Sequence, residues 1–207
     1  RLAARQAYEA VIMLHPRQRM LTLQAHNGLA ILEMNDGALD AAEKRLTSVI
    51  AEHPGYVDAL VNLGGVHFAR VRESGGADQR SLQQAVALYA RALQLAPDRY
   101  EARLNLGASY HMAGDLLRAQ VEYEAVAEQA PDDGRVAFNL GTLYLHRSRE
   151  EVDGKAWRRR AVSMLQRAVR LQPGDASARQ ALSAARGESS AKSSAWGQIG
   201  VAADSGR

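Results

Sequence analysis

Residues 100–133 read YEARLNLGASYHMAGDLLRAQVEYEAVAEQAPDD, and this stretch decides the fold. Its second half places Ala119, Tyr123 and Val126 ahead of Pro131. A small residue, a large one four positions on and another small one three further make a single stripe along a helix. The alanine admits a partner helix closely, the tyrosine fills the space beside it, and the proline stops the helix. The first half carries Asn105-Leu106-Gly107, with Tyr110 three residues beyond the glycine. A glycine inside a helix costs about 1 kcal/mol against alanine. Close contact between two helix backbones is the expected compensation. Between the halves, Ala113-Gly114-Asp115 makes a turn.

The same spacing recurs around all five prolines, Pro16, Pro54, Pro97, Pro131 and Pro173. Twelve residues before them stand Ala4, Ala42, Ala85, Ala119 and Ala161. Eight before stand Tyr8, Leu46, Tyr89, Tyr123 and Leu165, and five before stand Val11, Val49, Ala92, Val126 and Ala168. Ten residues after three of the prolines come Gly64, Gly107 and Gly141, each preceded by Asn-Leu and followed at the third position by His67, Tyr110 or Tyr144. The chain is an internal repeat.

Leu-Gly-x-x-Tyr, then Ala-x-x-x-aromatic, then Pro, at a period of roughly 34 residues, resembles the tetratricopeptide repeat. The resemblance covers nearly all of 1–186 and implies an all-α fold, a right-handed α-solenoid of stacked antiparallel helix hairpins. It divides the chain into a lone second helix at 2–16, repeats at about 21–56, 57–99, 100–133 and 134–175, a capping helix at 176–186, and a flexible Ser/Gly-rich tail at 187–207. The repeat at 21–56 departs from the pattern: Ala30 stands for the glycine and Glu33 for the aromatic. The repeats at 57–99 and 134–175 carry extra residues between their helices, Val71–Ser81 and His146–Arg160, the latter including Glu150, Glu151, Asp153 and Trp157. These insertions read as loops or helix extensions at one edge, or as a second contact surface. Trp157 beside Arg158, Arg159 and Arg160 is the candidate second interface, since Trp and Arg are enriched where binding energy concentrates.

Composition narrows the function. Hydrophobic residues make up 46% of the 207, enough for a packed core, while aromatics are only 5%. With no cysteine, disulfides, thiolate metal sites and thiol catalysis are excluded. No apolar run is long enough to span a membrane. The net charge of +3 is matched by the excess within 147–160, and no basic stripe with stacking aromatics accompanies it, so nucleic acid is not an expected partner. The six histidines are scattered and read as packed or capping residues. No hydrolase, nucleotide-binding or metalloprotease motif occurs, so no catalysis, cofactor or metal is expected. Cytoplasm and bacterial periplasm remain equally open.

The resemblance implies a concave groove lined by the first helices. In this sequence the groove positions are Val61, Leu104 and Phe138, then Asn62, Asn105 and Asn139, with Phe68, His111 and Leu145 a turn further on. An amide side chain offers both a donor and an acceptor to an extended backbone. Family members use such an asparagine ladder to hold peptide; the alternative is that each asparagine bonds a neighbouring helix and fixes the stacking. Members that grip a C-terminal carboxylate line this face with Lys, Arg and Asn. Val61, Leu104 and Phe138 instead imply an extended or helical protein segment with apolar anchors. Asp58 and Glu101 against Arg135 suggest a charge polarity along the groove. Trp196-Gly-Gln-Ile199-Gly-Val201 in the tail could dock in the groove of its own or a neighbouring copy, which would make an autoinhibited or polymerising module, and a homodimer is the other expected self-contact. A structural assembly subunit docking by its edges, and a targeting domain of a larger enzyme, are the rival readings.

Overall fold

The computed structural model of the protein describes residues 1–150 and 152–187. All of the regular structure among them is helical: α1 (Leu2–Leu14), α2 (Arg19–Asn35), α3 (Leu39–Glu52), α4 (Val57–Glu73), α5 (Gln79–Leu95), α6 (Tyr100–Met112), α7 (Leu116–Gln129), α8 (Gly134–Glu150), α9 (Gly154–Leu171) and α10 (Ala176–Arg186). The chain is an all-α helical solenoid of the tetratricopeptide type. It divides into two compact units, one from Arg1 to Ala102 and one beginning at Arg103, within α6.

In the first unit α1 packs on α2, α2 pairs with α3, α3 packs on α4, and α4 pairs with α5. Its core gathers Leu23, Ala30, Leu39, Ala42, Leu46, Val49, Ala59, Leu63 and Val66. Ala42, Leu46 and Val49, the stripe ahead of Pro54, are thus buried together. In the second unit α7 packs on α8, α8 pairs with α9, and α10 lies against α9 and α8. Ala178, Ala181 and Ala185 form the buried stripe of α10.

The glycines explain how closely the helices approach. A Cβ on Gly64 would lie 2.6 Å from the Tyr89 ring, and one on Gly107 would lie 2.8 Å from Tyr123. One on Gly141 would lie 2.6 Å from Leu165. Tyr89, Tyr123 and Leu165, each eight before a proline, therefore occupy the volume that a side chain on the partner helix would need. Gly28 does the same for Tyr8 of α1, a contact the sequence reading missed.

The extra residues of two hairpins lengthen their helices. α4 and α5 have 17 residues each, and α8 and α9 have 17 and 18, against 13 and 14 in α6 and α7. Only Ser74–Asp78 remains as a turn in the first case, where Gly75 and Gly76 take the left-handed conformation and Asp78 caps α5. Repeated ties join neighbouring hairpins. Arg91 Nη2 donates to the Pro54 carbonyl at 2.6 Å, and Arg167 Nη2 to the Pro131 carbonyl at 2.7 Å. Both arginines stand six residues before a proline, a periodicity legible in the sequence but not used.

Candidate interaction surfaces

The expected groove residues lie on the first helix of each hairpin: Val61, Asn62 and Phe68 on α4, Leu104, Asn105 and His111 on α6, Phe138, Asn139 and Leu145 on α8. All nine are buried, with exposures between 0 and 4%. Asn62 Nδ2 donates to Asn27 Oδ1 of α2 at 3.0 Å, a buried side-chain bond between neighbouring first helices. In the second unit the carbonyls of Asn105 and Asn139 accept from the Ser109 and Thr142 hydroxyls at 2.9 and 3.0 Å. Hydroxyls there turn back onto their own helix, so small polar residues sit in the interior with their donors satisfied.

His111 is enclosed. Its ring stands edge-on to Tyr123 at 6.4 Å, and its Nε2 lies 3.3 Å from His146 Nδ1. Burial, reinforced by the neighbouring His146, holds the His111 imidazole down to about 3, so it is neutral at ordinary pH. His146 Nε2 in turn lies 3.0 Å from Glu150.

The charges expected to polarise the groove, Asp58, Glu101 and Arg135, each have an ionic partner close by. Arg99 pairs with Asp58 at 2.8 Å and with Glu101 at 3.2 Å. Arg135 forms a fork with Asp133, its Nη2 at 2.7 Å. Two carboxylates about the single Arg99 leave a negative charge there, while Arg135 and Asp133 offset each other.

Trp157, half-buried, is packed within its own hairpin. The guanidinium of Arg147 sits 3.9 Å from its ring centroid, that of Arg160 4.7 Å, and the Tyr144 ring 5.4 Å. Arg147 further donates to Gln120, whose amide donates to Glu124 at 2.6 Å, and Glu124 accepts from the Tyr144 hydroxyl at 3.1 Å. The indole is therefore a stacking centre fastening the extended ends of α8 and α9. Arg158, Arg159 and Arg160 are exposed at the surface beside it. Glu151 and the tail segment Trp196–Val201 lie outside the described residues.

The first unit also holds an open cavity of about 330 Å³ against α2 and α3, lined by His26, Lys44, Arg45, Ser48 and Glu52 among others. Arg45 reaches the buried Glu33 at 2.6–3.1 Å and His26 at 3.1 Å, so its charge is already answered. No group of three or more His, Asp or Glu among the described residues could hold a metal ion. No helix there is long and apolar enough to cross a membrane.

Helical hairpins in regular succession, with small residues where paired helices approach, define a protein-interaction scaffold of the repeat class. The chain belongs to the tetratricopeptide repeat family, whose models match residues 27–77 and 77–140. Among solved structures it is similar to TTC0263, a thermophilic TPR protein of Thermus thermophilus, with a TM-score of 0.68, 19% identity and 88% of each chain covered. It is also similar to YrrB, a TPR protein with an unusual peptide-binding site, with a TM-score of 0.59 and 22% identity over 86% of this chain and 80% of that one. Among curated proteins it is 25% identical over 169 residues to the human protein O-mannosyl-transferase TMTC1, covering 68% of this chain and 19% of that protein. The chain thus spans about a fifth of the length of the curated relatives it matches.

Proposed function

We propose that the chain is a non-catalytic adaptor that receives an extended or helical segment of another protein on its first helices, gripping apolar anchor side chains. The observation that carries this reading is the shared register of α4, α6 and α8, where Val61, Leu104 and Phe138 each precede an asparagine. The peptide-binding description of YrrB adds support from a protein of similar fold. Because the nine side chains are buried, a ligand reaching them must displace their present neighbours, so binding is coupled to opening of this face. The packing alternative has the Asn62–Asn27 bond in its favour.

Photo-crosslinking separates the two. A benzophenone amino acid replaces Phe68, Phe138 or Leu145 singly, and each folded variant is exposed to a random peptide library. Crosslinked peptides rich in large apolar residues support the groove. Crosslinks to a second copy of the chain would instead identify self-association, and labelling confined to other surfaces would remove the groove reading while leaving the scaffold intact.

A second reading, an assembly subunit docking through the extended α8–α9 end, rests on the exposed basic side chains of Lys155, Arg158 and Arg159 there. A third, a repeat segment serving a larger enzyme, has the match to one stretch of a transferase behind it.

A further inference from the structure

From Gly154 to Arg186 the chain carries eight basic side chains and one acidic one, Asp175. Asp175 is committed to capping α10, accepting from the Ser177 and Ala178 amides at 2.8 and 3.3 Å. Lys155, Arg158 and Arg159 stand at i, i+3 and i+4, on one face at the start of α9, and all three are exposed. None of them lies within ion-pair distance of a carboxylate among the described residues. Several arginines elsewhere are answered, Arg45 by Glu33, Arg70 by Asp40 and Glu43, Arg103 by Glu122 and Arg118 by Asp115, while Arg72 and Arg80 stand apart on the surface without such a cluster around them. Of the nearby acids, Glu150 faces His146, and Asp153 sits at the helix start without bonding it.

Stability does not explain this arrangement. Like charges one turn apart repel, and cations at a helix N-terminus oppose the macrodipole. The first turn of α9 contains no acidic residue to offset them. Arg160, by helical spacing, stands off this face and is instead held against the Trp157 ring at 4.7 Å. An exposed face bearing two arginines and a lysine fits planar carboxylates, which the guanidinium fork binds through two parallel hydrogen bonds.

We propose that the face formed by Lys155, Arg158 and Arg159 docks an acidic segment of a partner protein. A single-stranded nucleic acid would need an aromatic ring for its bases, and Trp157 on the same helix is covered by Arg147 and Arg160. A membrane surface would need apolar side chains to insert, but the exposed residues of α9 are Lys155, Arg158, Arg159, Arg160, Ser163 and Arg170, with only Val152 protruding before them.

The test uses the full chain and a fluorescent twelve-residue peptide of alternating Glu and Asp, read by anisotropy. Arg158→Glu/Arg159→Glu is compared with Arg72→Glu/Arg80→Glu, an equal charge change at exposed positions of the first unit. The expected result is a loss of about tenfold or more for the first pair, and less than about twofold for the second, with binding weakened by salt. The first pair should melt no lower than the parent, since it removes repulsion. Equal losses in the two pairs, or no measurable binding by the parent, overturn the proposal. So does tighter Arg158- and Arg159-dependent binding of an RNA oligonucleotide or of phosphatidylserine vesicles. Crosslinking at Phe68, Phe138 and Leu145 in the charge-reversed chain reports the groove independently.

Discussion

Gly107 and Tyr123 belong to different helices but share one volume. A methyl group on Gly107 would fall 2.8 Å from the tyrosine ring and 3.2 Å from Glu122 Cβ, and the fully buried ring has no room to retreat. Gly107→Ala gains about 1 kcal/mol of helix propensity but incurs overpacking of about 1–3 kcal/mol, so a net loss is expected. Gly174→Ala makes the contrast, since nothing lies within 4 Å of that position and its φ is not positive. Urea denaturation should show the first variant less stable and the second equal to the parent or better. Asn62 invites a different measurement. Its amide and that of Asn27 satisfy each other in the interior, so removing one leaves the other buried without its partner. Asn62→Ala and Asn27→Ala should each cost about 1–3 kcal/mol, and the double variant clearly less than their sum. Additive losses would show that the bond contributes nothing to the stacking.

At the scale of the helix, capping separates starts that look alike in sequence. Asp115 and Asp153 each precede a helix. Asp115 accepts from the Arg118 amide at 3.0 Å, whereas Asp153 makes no side-chain cap. Asp115→Ala should therefore cost about 1 kcal/mol and Asp153→Ala almost nothing, read as shifts in urea midpoint. Equal shifts would mean the difference in capping geometry is not real in solution. This pair also marks what the sequence could and could not tell. Prolines and the small-large-small stripe located α3, α5, α7 and α9, because a local rule fixes where a helix ends and which face it buries. The insertions were harder: whether Val71–Ser81 forms a loop or longer helices depends on packing between α4 and α5, and composition alone does not decide that. The partners of Trp157 were hidden for the same reason, since Arg147 and Tyr144 come from the other helix of the hairpin. For the groove, sequence supplied the register of Asn62, Asn105 and Asn139. It did not supply their depth, which depends on what packs over each first helix.

Over the whole molecule, acid is the condition that reaches both units. Burial lowers His26 and His67 in the first unit below the ordinary histidine value of 6.5, and burial holds His111 in the second down to about 3. A folded state that refuses a proton is penalised whenever the unfolded chain accepts it. The contribution of these groups is therefore complete above pH 6.5 and is lost as pH falls below it, for His111 down to about 3. Asp78 and Asp115 are held below the ordinary value of 3.8, so their contribution declines only in more acidic solution and leaves the range above about pH 4.5 to the histidines. His111→Gln keeps a polar side chain beside His146 and Tyr123 but cannot titrate. At pH 7.5 this variant should be the less stable, having lost the fit of the imidazole. On lowering the pH to 5 the parent should lose about 2 kcal/mol more than the variant, closing or reversing the gap. Urea unfolding followed by circular dichroism at the two pH values measures this directly. A gap that stays constant between them would show that His111 takes up its proton in the folded chain, and that its enclosure by Tyr123 and His146 opens without cost.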